Sequence, residues 1–231
     1  MKRKIYSELQ DWKTKSNGQT AIMIDGARRI GKSYIAVEFA KNEYKSYILV
    51  DFNNANNRLI EIFDEYLGDL EMFFMQLSVY FGVKLYTRKS LIIFDEVQLY
   101  PKARAAIKYL VADGRYDYLE TGSLVSINRN VKDIVIPSEE RRLPMYPMDF
   151  EEFLWALGDD TTMPFISYCF ENHKSLGPLH RKAMDLFRQY MIVGGMPQAV
   201  LAFCNTKSFE ETDTVKRDIL ALYRADIAKY A

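Results

Sequence analysis

The sequence predicts an α/β protein: a parallel sheet of about five strands sandwiched between helices in three layers, followed by a helical extension. Three observations carry this. The run Gly26-Ala27-Arg28-Arg29-Ile30-Gly31-Lys32-Ser33 matches the phosphate-binding loop pattern G-x-x-x-x-G-K-[ST] at every fixed position, which points to a P-loop NTPase sandwich. Short β-favouring runs alternate with helical patterns through the first two thirds of the chain, as parallel strands joined by crossover helices require. From Asp149 the texture turns to nearly continuous helix, broken at Gly158, Gly177-Pro178 and Gly194-Gly195. Residues 1–148 are therefore read as the P-loop core and 149–231 as a helical region.

Taken in order, the chain opens on an amphipathic segment, Ile5 to Trp12, which Asn17-Gly18 interrupts. The apolar run Ala21-Ile22-Met23-Ile24 is the strand that feeds the loop, and Ser33 to Asn42 is the helix that leaves it. Further strands are expected at Tyr47 to Phe52, Leu91 to Phe94, Tyr116 to Glu120 and Leu143 to Met148, the last carrying Pro144 and Pro147. Helices are expected over Asn57 to Gly82, in one or two pieces, and over Pro101 to Ala112, between a starting Pro and a closing Asp113-Gly114. The last amphipathic stretch, Arg217 to Ile227, stops without a Gly or Asn cap, which reads as a chain that continues.

Composition narrows the class. With 231 residues, 48% of them hydrophobic, the chain can bury a sizeable core. No apolar stretch reaches the roughly 18 to 20 residues that span a bilayer, and the charged N-terminus lacks the apolar core of a signal peptide, so a cytoplasmic location without membrane association is expected. Basic and acidic residues balance at 31 each, which gives no support to a nucleic-acid partner, although a local basic patch is compatible with it. Cys169 and Cys204 are too few and too far apart for a disulfide framework or a paired metal motif, and His173 and His180 have no carboxylate or cysteine pattern around them.

The loop carries the chemistry. Its glycines let the backbone approach phosphates, while successive N–H groups and the helix N-terminus present partial positive charge to the anion. Gly26, Ala27, Arg28, Arg29, Ile30, Gly31, Lys32, Ser33 and Tyr34 are the candidate nucleotide-binding residues, with Lys32 adding a full charge. Leu91-Ile92-Ile93-Phe94 runs directly into Asp95-Glu96, the pattern of a Walker B strand. A carboxylate there can hold Mg²⁺ together with the Ser33 hydroxyl, which makes Ser33 and Asp95 the candidate metal residues, and Glu96 is then placed to polarise an attacking water. A complete strand and helix unit lies between the loop strand and Asp95-Glu96. This unit and the Asp-Glu pair together resemble the ATPase branch that hydrolyses with a strand-borne glutamate, which small-molecule kinases usually lack, so transfer of the phosphoryl group to water is expected over transfer to a hydroxyl acceptor.

Thr121 and Ser123 follow the next strand as candidate γ-phosphate sensors, although Thr-Gly-Ser is also ordinary turn composition. Arg142, with Arg141, is a candidate guanidinium for the triphosphate, in cis or from a neighbouring copy; the pair reads equally well as a charged edge facing Glu139 and Glu140.

On these residues the chain resembles the prokaryotic AAA-type ATPases whose loop reads G-x-R-R-x-G-K-[ST] and which carry an uncharacterised C-terminal domain. The resemblance rests on Gly26 to Ser33, Phe94 to Gln98, Thr121-Gly122-Ser123, Pro147 to Phe153 and Tyr190 to Pro197. It implies a sheet in which another strand separates the Walker B strand from the loop strand, then a helical region and a C-terminal domain of which this chain holds the beginning. Glu120 departs from the group, where an apolar residue is usual. The resulting expectation is an ATP-binding, Mg²⁺-dependent ATPase serving as a conformational switch or remodelling motor; ATP is preferred to GTP by resemblance, no Asn-Lys-x-Asp motif being present. A nucleotide-binding regulatory module with little turnover and a nucleic-acid-dependent ATPase are the alternatives. An unidentified protein partner and a homo-oligomer are both open.

Overall fold

A computed structural model describes residues 1–123 and 138–230. Two compact units emerge: Ile5–Met145, and Tyr146–Ala231 together with Met1–Lys4. The first four residues belong to the later unit. Arg3 explains it, because its guanidinium donates to Glu152 at 3.1 Å and to the Tyr146 carbonyl at 2.7 Å, both within that unit.

In the first unit a helix α1 (Ile5–Ser16) precedes β1 (Ala21–Gly26), α2 (Lys32–Glu43), β2 (Ser46–Asp51), α3 (Asn57–Tyr66), α4 (Leu70–Phe81), β3 (Ser90–Asp95), α5 (Pro101–Asp113), β4 (Asp117–Ser123) and β5 (Glu140–Met145). The expected Asn57 to Gly82 helix is two helices. Asp69 caps the second by accepting from Glu71 and Met72, and Gly82 ends it in the left-handed conformation. All neighbouring strands run parallel, in the order β2-β3-β4-β1-β5. As the resemblance implies, β4 separates the loop strand β1 from β3.

Because strand side chains alternate, each strand feeds both faces of the sheet. Met23, Ile48, Val50, Ile92, Phe94 and Tyr118 pack with Phe63, Phe73, Leu77, Ile107 and Leu110 of α3, α4 and α5. Helices α1 and α2 meet through Trp12, Tyr6 and Phe39, whose rings lie within 6.5 Å of one another's centroids along the Phe39 side. β5 lies earlier than expected, at Glu140–Met145, since Asp149 is already the N-cap of the next helix and so closes the segment. Pro144 is accommodated there because β5 is an edge strand.

The second unit is helical: α6 (Phe150–Ala156), α7 (Thr162–Glu171), α8 (His180–Val193), α9 (Pro197–Thr206) and α10 (Phe209–Tyr230). Met148, Phe153, Val193, Val200 and Phe203 form its core. Two of the segments that carry the resemblance, Pro147 to Phe153 and Tyr190 to Pro197, meet here: the Met148 N–H donates to the Gly195 carbonyl at 2.7 Å, and the Tyr190 hydroxyl donates to the Met148 carbonyl at 3.0 Å. A Cβ at position 195 would lie 2.1 Å from the Met148 carbonyl oxygen, so Gly195 is required by close approach.

Candidate functional site

The C-terminal ends of β1, β3 and β4 converge on the loop between β1 and α2. Gly26 adopts φ 153° with the Met145 carbonyl oxygen 2.3 Å from where a Cβ would stand, and Gly31 adopts φ 94° directly before α2. The loop therefore turns where the sequence supplies glycine. Ile30 anchors it in the interior, whereas Ala27, Arg28, Arg29 and Tyr34 are exposed along its outer side.

Lys32 is buried, and its ammonium donates to the Ala27 carbonyl at 2.8 Å and the Gly26 carbonyl at 3.2 Å. Burial lowers its pKa; the Glu96, Asp95 and Asp25 carboxylates oppose that shift, and Arg28 adds to it. The loop thus folds around a costly cation whose nearest partners are its own carbonyls, an arrangement suited to exchange for a stronger acceptor such as a phosphate.

Ser33, at the first turn of α2, donates its hydroxyl to Asp95 Oδ1 at 2.7 Å. The Thr121 hydroxyl donates to the same oxygen and accepts the Glu96 N–H at 3.2 Å. Glu96 stands in the left-handed conformation, φ 55°, unusual for a residue with a Cβ, and its Oε2 accepts from Gln98 Nε2. One chain of hydrogen bonds thus joins Ser33, Asp95, Thr121, Glu96 and Gln98. Its hydroxyl and carboxylate oxygens are hard donors that fit Mg²⁺, which takes one or two protein ligands alongside substrate phosphates. Among the described residues there is no group of three or more His, Cys, Asp and Glu that could form an all-protein metal cage.

The family model described as an AAA domain matches residues 18–154, spanning the loop, β3 and β4. The chain belongs to the AAA domain family. Its function is accordingly nucleotide binding of the ATPase type. A second family model, described as a Domain of unknown function (DUF8612), matches residues 184–231 of the AAA chain. No curated protein matches the chain. Similar solved structures include the Aeropyrum pernix Orc1 protein in complex with DNA, at 12% identity and TM-score 0.47, covering 95% of this chain and 66% of that one. The Thermotoga maritima RuvB Holliday junction branch migration motor gives 12% and 0.40, covering 67% and 47%. C. elegans PCH-2 gives 11% and 0.45, covering 98% and 68%. The chain thus spans less than two thirds of the Orc1 and RuvB chains.

Within this AAA domain the structure brings Lys32, Ser33, Asp95, Glu96 and Thr121 together, and pairs Ser123 in register with Gly26 at the loop's start. It does not bring Arg142 to them. Arg142 is in register with Met23, three positions before Gly26 in β1, and its Nε lies 3.7 Å from Glu140 Oε1. Arg141 is exposed on the same edge strand. His173 and His180 are exposed in the helical unit. Sequence reasoning gave Gln98 no role, and it gave Thr121 a sensor role; the structure shows its hydroxyl holding Asp95 and the Glu96 backbone. The signal lay in the β3–β4 register, in which Phe94 faces Glu120 and so sets Asp95 and Glu96 beside Thr121. No helix of the described residues is long and apolar enough to cross a membrane.

Proposed function

We propose that this chain binds ATP with Mg²⁺ and hydrolyses it to ADP and phosphate, residues 1–148 forming the nucleotide module. The observation that carries the reading is the convergence of a buried Lys32, the Ser33–Asp95 pair and Glu96 at one end of the sheet. Backbone N–H groups from Gly26 to Tyr34 cradle the phosphates, and Lys32 trades its loop carbonyls for β- and γ-phosphate oxygens. Ser33 and Asp95 hold Mg²⁺, which when bound neutralises charge on those oxygens. Glu96 accepts a proton from the attacking water, with Thr121 fixing its backbone and Gln98 its carboxylate. Ser123, in register with Gly26, donates to a phosphate oxygen. Hydrolysis in a cytoplasmic protein of this kind would drive a conformational change in a partner or in the helical region.

One observation favours a second reading, a nucleotide-binding switch with little turnover: Arg142 is paired with Glu140 rather than directed to the loop, so full activity would wait on an arginine from another copy or a partner. Phosphate release and binding of a fluorescent ATP analogue separate the two. Hydrolysis predicts Mg²⁺-dependent release that falls sharply in Glu96→Gln while binding persists. Binding that Lys32→Ala abolishes, with no release above the Glu96→Gln level, would select the switch.

A further inference from the structure

The edge of the sheet farthest from β5 offers a different kind of site. β2 is the terminal strand, with β3 on one side only. The Phe52 N–H donates to the Asp95 carbonyl at 3.1 Å, so the even-numbered residues of β2 turn their backbone groups toward β3. Tyr47 and Leu49 therefore turn their N–H and C=O groups outward, and among the described residues no strand or loop pairs with them.

Tyr47 and Leu49 line a groove of about 500 Å³. Its walls are Lys41 and Tyr44 from the end of α2 on one side, and Phe81 and Val83 from the end of α4 on the other. Lys45, Ser46 and Ile48 complete the lining, which contains two lysines and no carboxylate. Lys45 and Lys84 both lie over the Tyr86 ring, at 3.8 and 5.5 Å from its centroid, which brings a third ammonium beside Lys45. Lysines at a sheet edge also discourage uncontrolled pairing. Here, however, the outward backbone groups of Tyr47 and Leu49 stay unpaired among the described residues, within the same lining as Lys41 and Lys45.

We propose that the β2 edge is a docking site for an extended acidic segment of a partner protein, which adds as a further strand. Main-chain hydrogen bonds to Tyr47 and Leu49 would supply the attachment, the groove walls would take alternate apolar side chains, and Lys41, Lys45 and Lys84 would select for carboxylates. The site is independent of the nucleotide chemistry.

The probe is a fluorescein-labelled peptide alternating glutamate and valine, added to the full chain and followed by anisotropy. Two further versions carry N-methyl groups on alternate amides, one in each register. Expected results are binding of the parent peptide, its loss with one methylated version and survival with the other, and slowed hydrogen exchange of the Tyr47 and Leu49 amides. A Lys41→Glu/Lys45→Glu variant should bind about tenfold or more weakly while keeping its circular dichroism spectrum. Absence of binding, equal binding of both methylated versions, or unchanged exchange would overturn strand addition. Equal binding of a lysine–valine peptide would overturn the charge selection. Oligothymidylate that displaces the peptide from the groove and binds more tightly would replace the peptide with a nucleic acid, and self-association abolished by the double variant would replace it with a second copy of this chain.

Discussion

At the C-terminal ends of β1, β3 and β4, Ser33, Asp95, Thr121 and Glu96 form a hydrogen-bonded chain beside the phosphate loop. Between the middle of β4 and the start of β5, by contrast, the Arg104 guanidinium of α5 grips both oxygens of Glu140, at 2.8 Å each, with Glu120 alongside. Both clusters place charge inside one sheet. The first is held by hydroxyls and a strained backbone, arranged around a lysine whose partners are weak. In the second, the Arg104 and Glu140 side chains are 1% and 0% exposed and neutralise each other. Charge that is left incompletely matched at a sheet end invites a ligand; charge matched within the interior fixes how α5 and β5 lie against the sheet.

The sharpest separation comes from Glu96→Gln. If the open cluster is chemical, this isosteric change lowers phosphate release by about 10²- to 10⁴-fold, the range for removing a general base. It leaves unfolding free energy within about 0.5 kcal/mol of the parent, as expected of a change outside the core. A comparable loss of stability in urea unfolding would mean that Glu96 belongs with the closed cluster instead.

Arg104→Leu should do the reverse. Glu140 would be left buried without its cation, at a cost of about 3–5 kcal/mol in urea unfolding, while the folded fraction keeps its turnover per molecule. An unfolding midpoint that does not move would show that Glu140 finds water or another partner, and the two clusters would then differ less than their burial suggests.

Glu120 tests the closed cluster through pH. Burial, reinforced by the Glu140 charge, pushes its carboxyl well above the usual range, so the folded chain holds this proton to higher pH than the unfolded chain does. The unfolded chain releases it above about pH 4.3, so this group's contribution is fully present below that pH and is lost as pH rises toward the folded value. Glu120→Gln removes this slope: the variant should match the parent near pH 4 and exceed it in thermal stability by a growing margin at higher pH. Parallel stability curves for the two proteins would place a charged Glu120 in the folded state.

The two clusters were also unequally legible in the sequence. Gly26 to Ser33 and Asp95-Glu96 could be read because their chemistry is local: a loop needs glycines at fixed spacing, and a strand end needs a carboxylate. Arg104, Glu120 and Glu140 come from three separate elements, and only the packing of α5 and the β4-β1-β5 order bring them together. Taken singly, Glu120 read as a departure from pattern and Glu140 as a surface partner for arginine. The outward turn of Tyr47 and Leu49 was hidden for a similar reason, since a strand's edge position depends on the whole sheet. Helix ends were legible where a cap announced them, as at Pro101 and Gly114, and the start of β5 was not, because Glu140-Arg141-Arg142 carries no β-favouring pattern.

The smallest effect probes how the open cluster holds its own geometry. Glu96 is fixed at two points, its N–H by Thr121 and its carboxylate by Gln98, and both attachments must persist for the side chain to meet a water in a constant position. Gln98→Ala removes the second and leaves the first. A hydrogen bond to a charged group contributes about 1.5–3 kcal/mol, part of which water replaces at a site beside the loop, so turnover should fall about tenfold. Because Gln98 touches Glu96 rather than the phosphates, the loss should appear in kcat with KM for ATP unchanged. A rise in KM with kcat intact would instead place Gln98 among the groups that hold the nucleotide, and Glu96 would then owe its position to Thr121 and its strained backbone alone.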